Sequence, residues 1–572
     1  MSGIASVVER EPAVHGDVAG GGEPPVLRGP EVPIERLHQA LRTVRRLCPA
    51  LPVTAIRWMH LKHPFHQMQE ALLRGDGWLE WLQATGPSRA DLGRWAVRRG
   101  SRSALAKRLA QSVVYALVLV WRLASVRVLL HREAAALKRR RFDLVLKTCC
   151  FGPDRPLGDQ DFYFGDLQQR LARRGLRTLL LCGDVRGGDL AVFVRAHVST
   201  GEPARLPELC LVHPLTPLRV LAQQLRACLR LRRVAARAAG PLIKRISLLA
   251  SQDCLAPDTA WASLFYYIGR QAVRTWRPRA FVTPYEGHAW ELCVRWGAKT
   301  ADAACLAVGY QHTAVFRESL ALLAPAGEGK RVRTAPDVVL GLGERTLDLM
   351  RAGHARYRTR LLRFGSFRFQ SRAVLGPAPA LRRTVLVAPE GIASEMQLLF
   401  TFALACARRL PSHTFVLRCH PEVPMARALQ LVGADLARQP NMVLSDRPIE
   451  EDFARADALL YRGSSAVLYA VLAGLLPIYV PVDGMRDRDP LFALEAWRKR
   501  GATADAVAEI LACHQRTPSD VAEAAWAAAA RYVQAYTGPV DDQGIDALLE
   551  STGLKSARHF VEPERARGSA WH

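Results

Sequence analysis

The sequence predicts an α/β protein with two doubly wound parallel sheets, preceded by a helical extension. Two series of short apolar stretches alternate with helix-like segments, one beginning at Phe142 and the other after Arg383. Such alternation of strand and helix is typical of parallel sheets covered by helices on both faces. The Pro-containing stretch 375–383 separates the two series, and 572 residues are too many for one hydrophobic core.

The first series contains five candidate strands that are continuously apolar, as strands buried on both faces are. A helix is expected between the first two strands, over Asp166–Gly175. The candidate strands are FDLVLKT (142–148), RTLLLCG (177–183), AFVTPY (280–285), AACLAVGY (303–310) and DVVLGLG (337–343).

The second series repeats the pattern, with TVLVAPEG (384–391), HTFVLRCHP (413–421), ADALLY (456–461) and LPIYVP (476–481) as strands and their turns. Helices are expected over Met396–Leu410 and over AVLYAVLAG. We therefore predict two Rossmann-like domains within a longer chain. The predicted divisions are a disordered leader (1–30), a basic helical extension (31–141), the two domains (142–370 and 371–540) and a frayed polar tail (541–572).

The chain is strongly basic, with 79 Lys and Arg against 53 Asp and Glu and a formal net charge of +26. This excess favours polyanionic partners. No nucleic-acid-binding motif stands out, so we expect no nucleic acid as partner and favour phosphorylated substrates or an anionic membrane surface. In Leu109–Leu130, Arg122 and Arg127 interrupt the apolar stretch, whereas a bilayer span needs about 20 apolar residues. A basic amphipathic helix on a membrane is expected there, with an ordinary buried helix as the alternative.

The cysteines and the N-terminus indicate the compartment. Twelve cysteines are scattered without a C-x-x-C pair, which favours reduced thiols and no metal site. The first 25 residues lack the basic and apolar regions of a secretory signal. The expected location is the cytoplasm, at the inner face of the membrane.

Polar residues follow two strands of the first series, where ligands of parallel sheets bind. Glu286 and Gly287 follow AFVTPY, and His312 lies in GYQHT after the next strand. A carboxylate in a dry cleft can have a raised pKa, so Glu286 is a candidate general base, with helix capping as the alternative. His312 is a second candidate base. Tyr310, Gln311 and Glu291 are expected to contact the acceptor, although Glu291 could instead be structural.

The second series carries candidate phosphate-binding residues at its strand ends. His420 precedes Pro421, which disfavours helical backbone and holds the imidazole at the sheet edge. In RGSS, Gly463 allows a tight turn, and Ser464 and Ser465 stand near a helix N-terminus, where N–H groups bind phosphate. Simple N-capping is the alternative for the serines. A further turn, at Glu390 and Gly391, is a weaker candidate of the same kind.

The order carboxylate-Gly, His-Pro and Ser-Ser resembles the three short motifs of bacterial sialyltransferases, polysialyltransferases and Kdo transferases. The segments PYEGHAWE, VGYQHT and RGSSAVLYAVLAGLLPI also look like capsule and surface-carbohydrate biosynthesis proteins with the GT-B fold. The resemblance covers roughly residues 142–500. It implies that Glu286 deprotonates an acceptor hydroxyl and that His420 contacts or protonates the leaving CMP phosphate. It also implies that Ser464 and Ser465 hold this phosphate without a metal.

The resemblance implies an inverting glycosyltransferase that needs no cofactor. Its donor would be a nucleotide-activated sugar, CMP-linked and sialic acid- or Kdo-like, and its acceptor a surface polysaccharide or a lipid-linked carbohydrate. Two alternatives remain open. One is a glycerophosphate or other polyol-phosphate transferase of the teichoic-acid type, with His312 as base. The other is a non-catalytic scaffold in polysaccharide export.

Overall fold

The computed structural model describes residues 34–60, 102–150, 160–184, 189–317, 319–322, 334–354, 359–369, 376–377, 382–420, 423, 438–482 and 487–554. It contains two sheets whose strands are all parallel, which confirms the predicted α/β class.

The first sheet has seven strands in the order β3-β2-β1-β4-β5-β6-β7. Their bounds are β1 (Leu144–Cys150), β2 (Thr178–Asp184), β3 (Ala204–Pro207), β4 (Ala280–Pro284), β5 (Leu306–Tyr310), β6 (Val338–Gly341) and β7 (Arg360–Arg363). The central strands are apolar at nearly every position because helices cover both faces of the sheet. All five strands predicted for this half are present.

The second sheet has six strands in the order β10-β9-β8-β11-β12-β13. Their bounds are β8 (Thr384–Pro389), β9 (Thr414–Arg418), β10 (Met442–Ser445), β11 (Ala458–Arg462), β12 (Leu476–Tyr479) and β13 (Lys499–Arg500). The chain order reverses between β8 and β11, which lie side by side. Such a reversal opens a crevice beyond the carboxyl ends of the strands.

Seventeen α-helices lie within the described residues. In the first half they are α1 (Ile34–Leu47), α2 (Leu51–Ala55), α3 (Arg102–Leu129), α4 (His131–Lys138), α5 (Leu167–Arg173), α6 (Leu190–Ala196), α7 (Thr216–Arg237), α8 (Pro241–Asp253), α9 (Pro257–Trp276), α10 (Ala289–Ala301) and α11 (Glu344–His354). The second half adds α12 (Ala393–Arg409), α13 (Ile449–Arg455), α14 (Ala466–Leu472), α15 (Ala504–Arg516), α16 (Ser519–Tyr536) and α17 (Asp542–Thr552).

The helices of the N-terminal extension pack into the first half of the molecule. Leu119, Leu123 and Val126 of α3 belong to the same buried core as the central strand β1. Helix α1 contributes Leu37 and Leu41 to a second cluster, shared with α7 and α8. The described helices of the extension therefore pack into the first domain rather than form a separate unit, because each has an apolar face to bury.

The end of the described chain differs from the expected polar tail. Helix α17 covers residues 542–552, and its Ile545, Leu548 and Leu549 are buried in the core of the first domain. The side chain of Arg279 donates to the carbonyl oxygen of Thr552 at 2.6 Å. The charged residues around α17 obscure this apolar stripe in the sequence. The chain thus returns from the second domain to the first.

Hydrogen bonds near the segment where the chain returns to the first domain join the two domains. The Tyr536 hydroxyl of α16 accepts the backbone N–H of Val315 at 2.6 Å and donates to the carbonyl oxygen of the same residue at 2.5 Å. The backbone N–H of Ser366 donates to the carbonyl oxygen of Gly538 at 2.8 Å. These bonds attach the second domain to loops near the ends of β5 and β7.

Helices α9 and α10 approach each other closely at two glycines. A Cβ atom at Gly269 would overlap the carbonyl oxygen of Val294, and one at Gly297 would overlap that of Tyr266. Only glycine permits so close an approach of two backbones. Since α10 begins just after residue 286, this contact also positions the polar turn at the end of β4.

We expect Gly269→Ala to destabilise the protein by about 1–3 kcal/mol, because the added methyl group must displace backbone. The measurement is the free energy of unfolding in urea. Gly240→Ala is the control, since Gly240 has extended backbone and no atom within 4 Å of the new Cβ. Equal stability of both variants and the wild type would contradict the close packing.

Candidate active site

A buried carboxylate fixes the turn that follows β4. Glu291, in the first turn of α10, is fully buried and accepts the backbone N–H of Glu286 at 3.0 and 3.1 Å and that of Gly287 at 3.0 Å. Gly287 has φ +85°, and a Cβ there would lie 2.5 Å from the side chain of Ala321. The turn therefore requires glycine and has one defined conformation.

The side chain of Glu286 lies between two histidines. Its Oε1 is 2.9 Å from Nε2 of His312, and its Oε2 is 3.4 Å from Nε2 of His288. Because β4 and β5 are neighbouring parallel strands, with Pro284 beside Tyr310, residues just after their ends meet at one edge. The structure thus brings together the two predicted catalytic residues, Glu286 and His312.

Glu286 is the more accessible of the pair. Its side chain is 19% exposed, whereas that of His312 is 1% exposed and contacts the ring of Tyr163, with centroids 4.5 Å apart. A carboxylate that reaches solvent and is oriented by a buried imidazole has the arrangement of a general base with a positioning partner. His288 was not singled out from the sequence; its position directly after Gly287 was the available signal.

The three residues expected to contact an acceptor are all buried and have internal partners. The Tyr310 hydroxyl accepts the N–H of Phe367 at 3.2 Å, and burial raises the pKa of Tyr310 to about 12. The side-chain oxygen of Gln311 accepts the N–H of Leu342 at 3.2 Å. Glu291 holds the turn described above. In this structure the three side chains make internal contacts, and their contact with an acceptor stays a prediction.

Four of the predicted donor-side residues meet at the edge of the second sheet. A Cβ at Gly391 would lie 2.7 Å from Nδ1 of His420, and one at Gly463 would lie 2.6 Å from Oε2 of Glu390. These residues follow β8, β9 and β11, which are adjacent strands. Gly463 has φ +74°, a conformation that favours glycine. Pro421 lies outside the described residues.

The two serines of RGSS differ in exposure. Ser464 is 7% exposed, and its hydroxyl accepts the backbone N–H of Ala466 at 3.3 Å. Ser465 is exposed and is the N-cap residue of α14, without a hydrogen bond from its side chain to the helix. Ser464 therefore contributes to the turn, and Ser465 presents its hydroxyl to solvent.

A buried network of charges lies behind this edge. Arg462 donates from Nε to Glu395 at 2.9 Å, and Arg488 lies 3.1 Å from the other oxygen of Glu395 and also contacts Glu390. Burial has the largest effect on Glu390 and raises the pKa of its carboxyl to about 7, against the opposing attraction of Arg488. None of Arg462, Glu395 and Arg488 was predicted, although Arg462 lies within the YRGSS segment.

One chain of contacts connects the two sheet edges. The ring of Tyr163 beside His312 touches that of Phe162, and the Arg368 guanidinium lies 4.6 Å from the centroid of the Phe162 ring. The backbone oxygen of Arg368 accepts the hydroxyl of Tyr469 at 3.0 Å. Tyr469 belongs to α14, which begins just after Ser465. Direct convergence of Glu286, His420 and the serines on one ligand stays a prediction.

Within the described ranges, no group of three or more His, Cys, Asp and Glu side chains is arranged to hold a metal ion. The two edges carry carboxylates, imidazoles, hydroxyls and backbone N–H groups. Such groups suit a polyhydroxylated or phosphorylated molecule.

No protein-family model matches the sequence, and no curated protein matches it. Solved structures resemble it in fold only. The calicheamicin glycosyltransferase CalG4 is 15% identical, with 72% of this chain and 99% of that one covered and a TM-score of 0.39. OtsA is 9% identical, with 74% of this chain and 100% of that one covered and a TM-score of 0.42. A putative UDP-N-acetylglucosamine 2-epimerase from Listeria monocytogenes is 9% identical, with 72% of this chain and 96% of that one covered and a TM-score of 0.37. Likeness this distant carries no argument about activity.

The raised pKa of Glu390 makes stability depend on pH. A carboxyl whose pKa is about 7 when folded, against an ordinary value of 4.5, binds more protons in the folded state. Its contribution to stability is complete below the unfolded pKa and is lost as the pH rises towards about 7. Relative to Glu390→Gln, the wild type should lose at most about 1.4 kcal/mol of unfolding free energy per pH unit in this window.

Urea unfolding at about pH 5 and about pH 7 measures this difference. Glu509→Gln, a change of the same type at an exposed position of α15, should retain the wild-type slope. Identical slopes for Glu390→Gln and the wild type would show that Glu390 does not titrate in this range.

Proposed function

We propose that this protein is a glycosyltransferase that moves a sugar from a nucleotide-activated donor to an acceptor hydroxyl. The observation that carries the proposal is the partly exposed carboxylate of Glu286. It is held at the end of β4 by Glu291 and lies 2.9 Å from a buried imidazole. A positioned base at one sheet edge, together with hydroxyl, imidazole and backbone N–H groups at the edge of the second sheet, suits transfer from a nucleotide sugar.

In the proposed reaction, Glu286 accepts the proton of the acceptor hydroxyl as its oxygen attacks the anomeric carbon. The bond from that carbon to the nucleotide phosphate breaks on the opposite side, so configuration at the carbon inverts. His312 keeps the carboxylate in place, which reduces the entropy lost when the reacting groups align. The side chain of His312 is 1% exposed and is engaged by Glu286. This supports Glu286 over His312 as the base and therefore favours sugar transfer over polyol-phosphate transfer.

The second edge would receive the leaving nucleotide. Gly463 lets the backbone approach a ligand closely, and Ser465 presents a hydroxyl at the start of α14. His420 lies beside Gly391 at the end of the neighbouring strand β8 and would donate a hydrogen bond to the phosphate. Fixed donors of this kind stabilise the negative charge that develops on a leaving phosphate.

The finer parts of the proposal rest on the motif resemblance. The donor would be CMP-linked, the sugar sialic acid- or Kdo-like, and the acceptor a surface polysaccharide or lipid-linked carbohydrate at the cytoplasmic membrane face. Incubation with CMP-sugars and, separately, with CDP-glycerol distinguishes the candidates through the CMP that each reaction releases. CMP released only from CDP-glycerol would replace sugar transfer by polyol-phosphate transfer.

Glu286→Gln should lower kcat by about a hundredfold to ten-thousandfold, since the amide cannot accept the proton. Donor affinity, measured by isothermal titration calorimetry, should change little because Glu286 contacts the acceptor side. The control is Glu550→Gln, the same change at an exposed position of α17, and it should retain full activity. Wild-type turnover by Glu286→Gln would remove this residue from the mechanism.

Gly463→Ala should abolish nucleotide binding. Its Cβ would lie 2.6 Å from Oε2 of Glu390 and displace this carboxylate, and residue 463 would be strained because its φ is +74°. For the wild type, a nucleotide at about a hundredfold excess over its Kd adds about 2.7 kcal/mol to the free energy of unfolding.

Gly376→Ala is the matched control, since Gly376 has φ +82° and open space around the new Cβ. Both variants carry similar backbone strain, but only Gly463→Ala should lose the stabilisation by CMP. Retention of the full stabilisation in Gly463→Ala would contradict the assignment of the donor site.

A further inference from the structure

Helix α3 is apolar on two opposite faces. Ser112, Leu119, Leu123 and Val126 lie on the buried face. Leu117, Trp121 and Val128 lie on the other face and are 58%, 65% and 78% exposed. Spacings of four and seven residues place these three side chains in one stripe. A surface helix of a globular protein ordinarily has a polar outer face, so packing among the described residues does not account for the outer stripe of α3.

The neighbouring helix α7 shows the same feature. It packs beside α3 and exposes Leu218, Leu225 and Leu229, again spaced by seven and four residues. We call the exposed apolar side chains of both helices, together with the arginines beside them, the α3–α7 surface. Exposed apolar patches of this kind mark interaction sites in soluble folds.

The charge of the α3–α7 surface is of one sign. Neither helix contains Asp or Glu, while α3 contains five Lys and Arg residues and α7 contains six Arg residues. The arginines of α7 are all exposed: Arg219, Arg226, Arg230, Arg232, Arg233 and Arg237. Large apolar side chains flanked by cations complement the interface of an anionic bilayer, where acyl chains lie beneath negatively charged headgroups.

We propose that the α3–α7 surface docks the protein on an anionic phospholipid bilayer, with α3 lying in the plane of the membrane. Within the described residues, Leu105–Leu129 is the one helical segment long and apolar enough to cross a membrane. However, its Ser112 donates to the carbonyl oxygen of Leu255 at 2.5 Å, and its inner face forms part of the core around β1. A spanning orientation would break this packing, whereas docking buries only the exposed face.

The test is co-sedimentation of the full chain with vesicles of phosphatidylcholine alone and of phosphatidylcholine with phosphatidylglycerol at about three to one. We expect binding to the anionic vesicles. The double variant Leu117→Glu, Trp121→Glu should bind at least about tenfold more weakly, because it removes apolar contact and adds negative charge. Arg226→Gln and Arg233→Gln should each weaken binding to the anionic vesicles by about fivefold.

Val521→Glu is the control, since Val521 is a 53% exposed apolar residue on α16, outside the α3–α7 surface, and should not change binding. Thermal unfolding in the absence of lipid verifies that each variant folds. Failure of the wild type to bind anionic vesicles would overturn the proposal, as would unchanged binding by the double variant. The proposal would also be overturned if duplex DNA displaced the wild type and the double variant from vesicles equally. It would likewise be overturned if the wild type self-associated without lipid and the double variant did not. Because the assay requires no turnover, its result is independent of the proposed activity.

Discussion

The arrangement of the first half of the site depends on the buried carboxylate of Glu291. It accepts two consecutive backbone N–H groups, and Arg295, itself buried, lies 3.8 Å from it and donates to the carbonyl oxygen of Thr334 at 2.7 Å. A buried carboxylate without such partners would cost several kcal/mol. The same bonds that stabilise this charge hold the Glu286–Gly287 turn, so the position of the proposed base follows from the electrostatics of the core.

The second half of the site uses buried charge differently. Two arginines and two glutamates alternate from Arg462 through Glu395 and Arg488 to Glu390, which lies at the sheet edge. Because burial raises the pKa of Glu390 to about 7, this carboxyl is partly protonated near neutral pH. A proton on Glu390 leaves the arginines less neutralised, which favours an anionic ligand at this edge.

The sequence predicted the long, buried strands well because continuous apolar stretches between turn residues leave few alternatives. It did not predict β3, β7, β10 and β13, since these strands have two to four residues and lie at or near the sheet edges. Glu286 and His312 are neighbours because they follow β4 and β5, which are adjacent parallel strands. This proximity was expected, since both polar residues come directly after consecutive strands in the sequence. Burial was not predictable: Tyr310, Gln311 and His312 follow one another at a strand end, where ligands bind, yet all three are buried. Arg488 escaped notice because its partners are distant in the chain and meet it only in the folded protein.

In the proposed mechanism, Glu286 faces a donor bound at the end of β11. The most direct measurement is a crystal structure of the Glu286→Gln variant with an intact CMP-sugar, since this variant should bind the donor without consuming it. We expect a phosphate within about 3 Å of Ser465 or of the N–H groups that begin α14. We also expect the anomeric carbon of the sugar to point towards residue 286. A nucleotide bound elsewhere, or a sugar that points away from residue 286, would contradict the proposed mechanism.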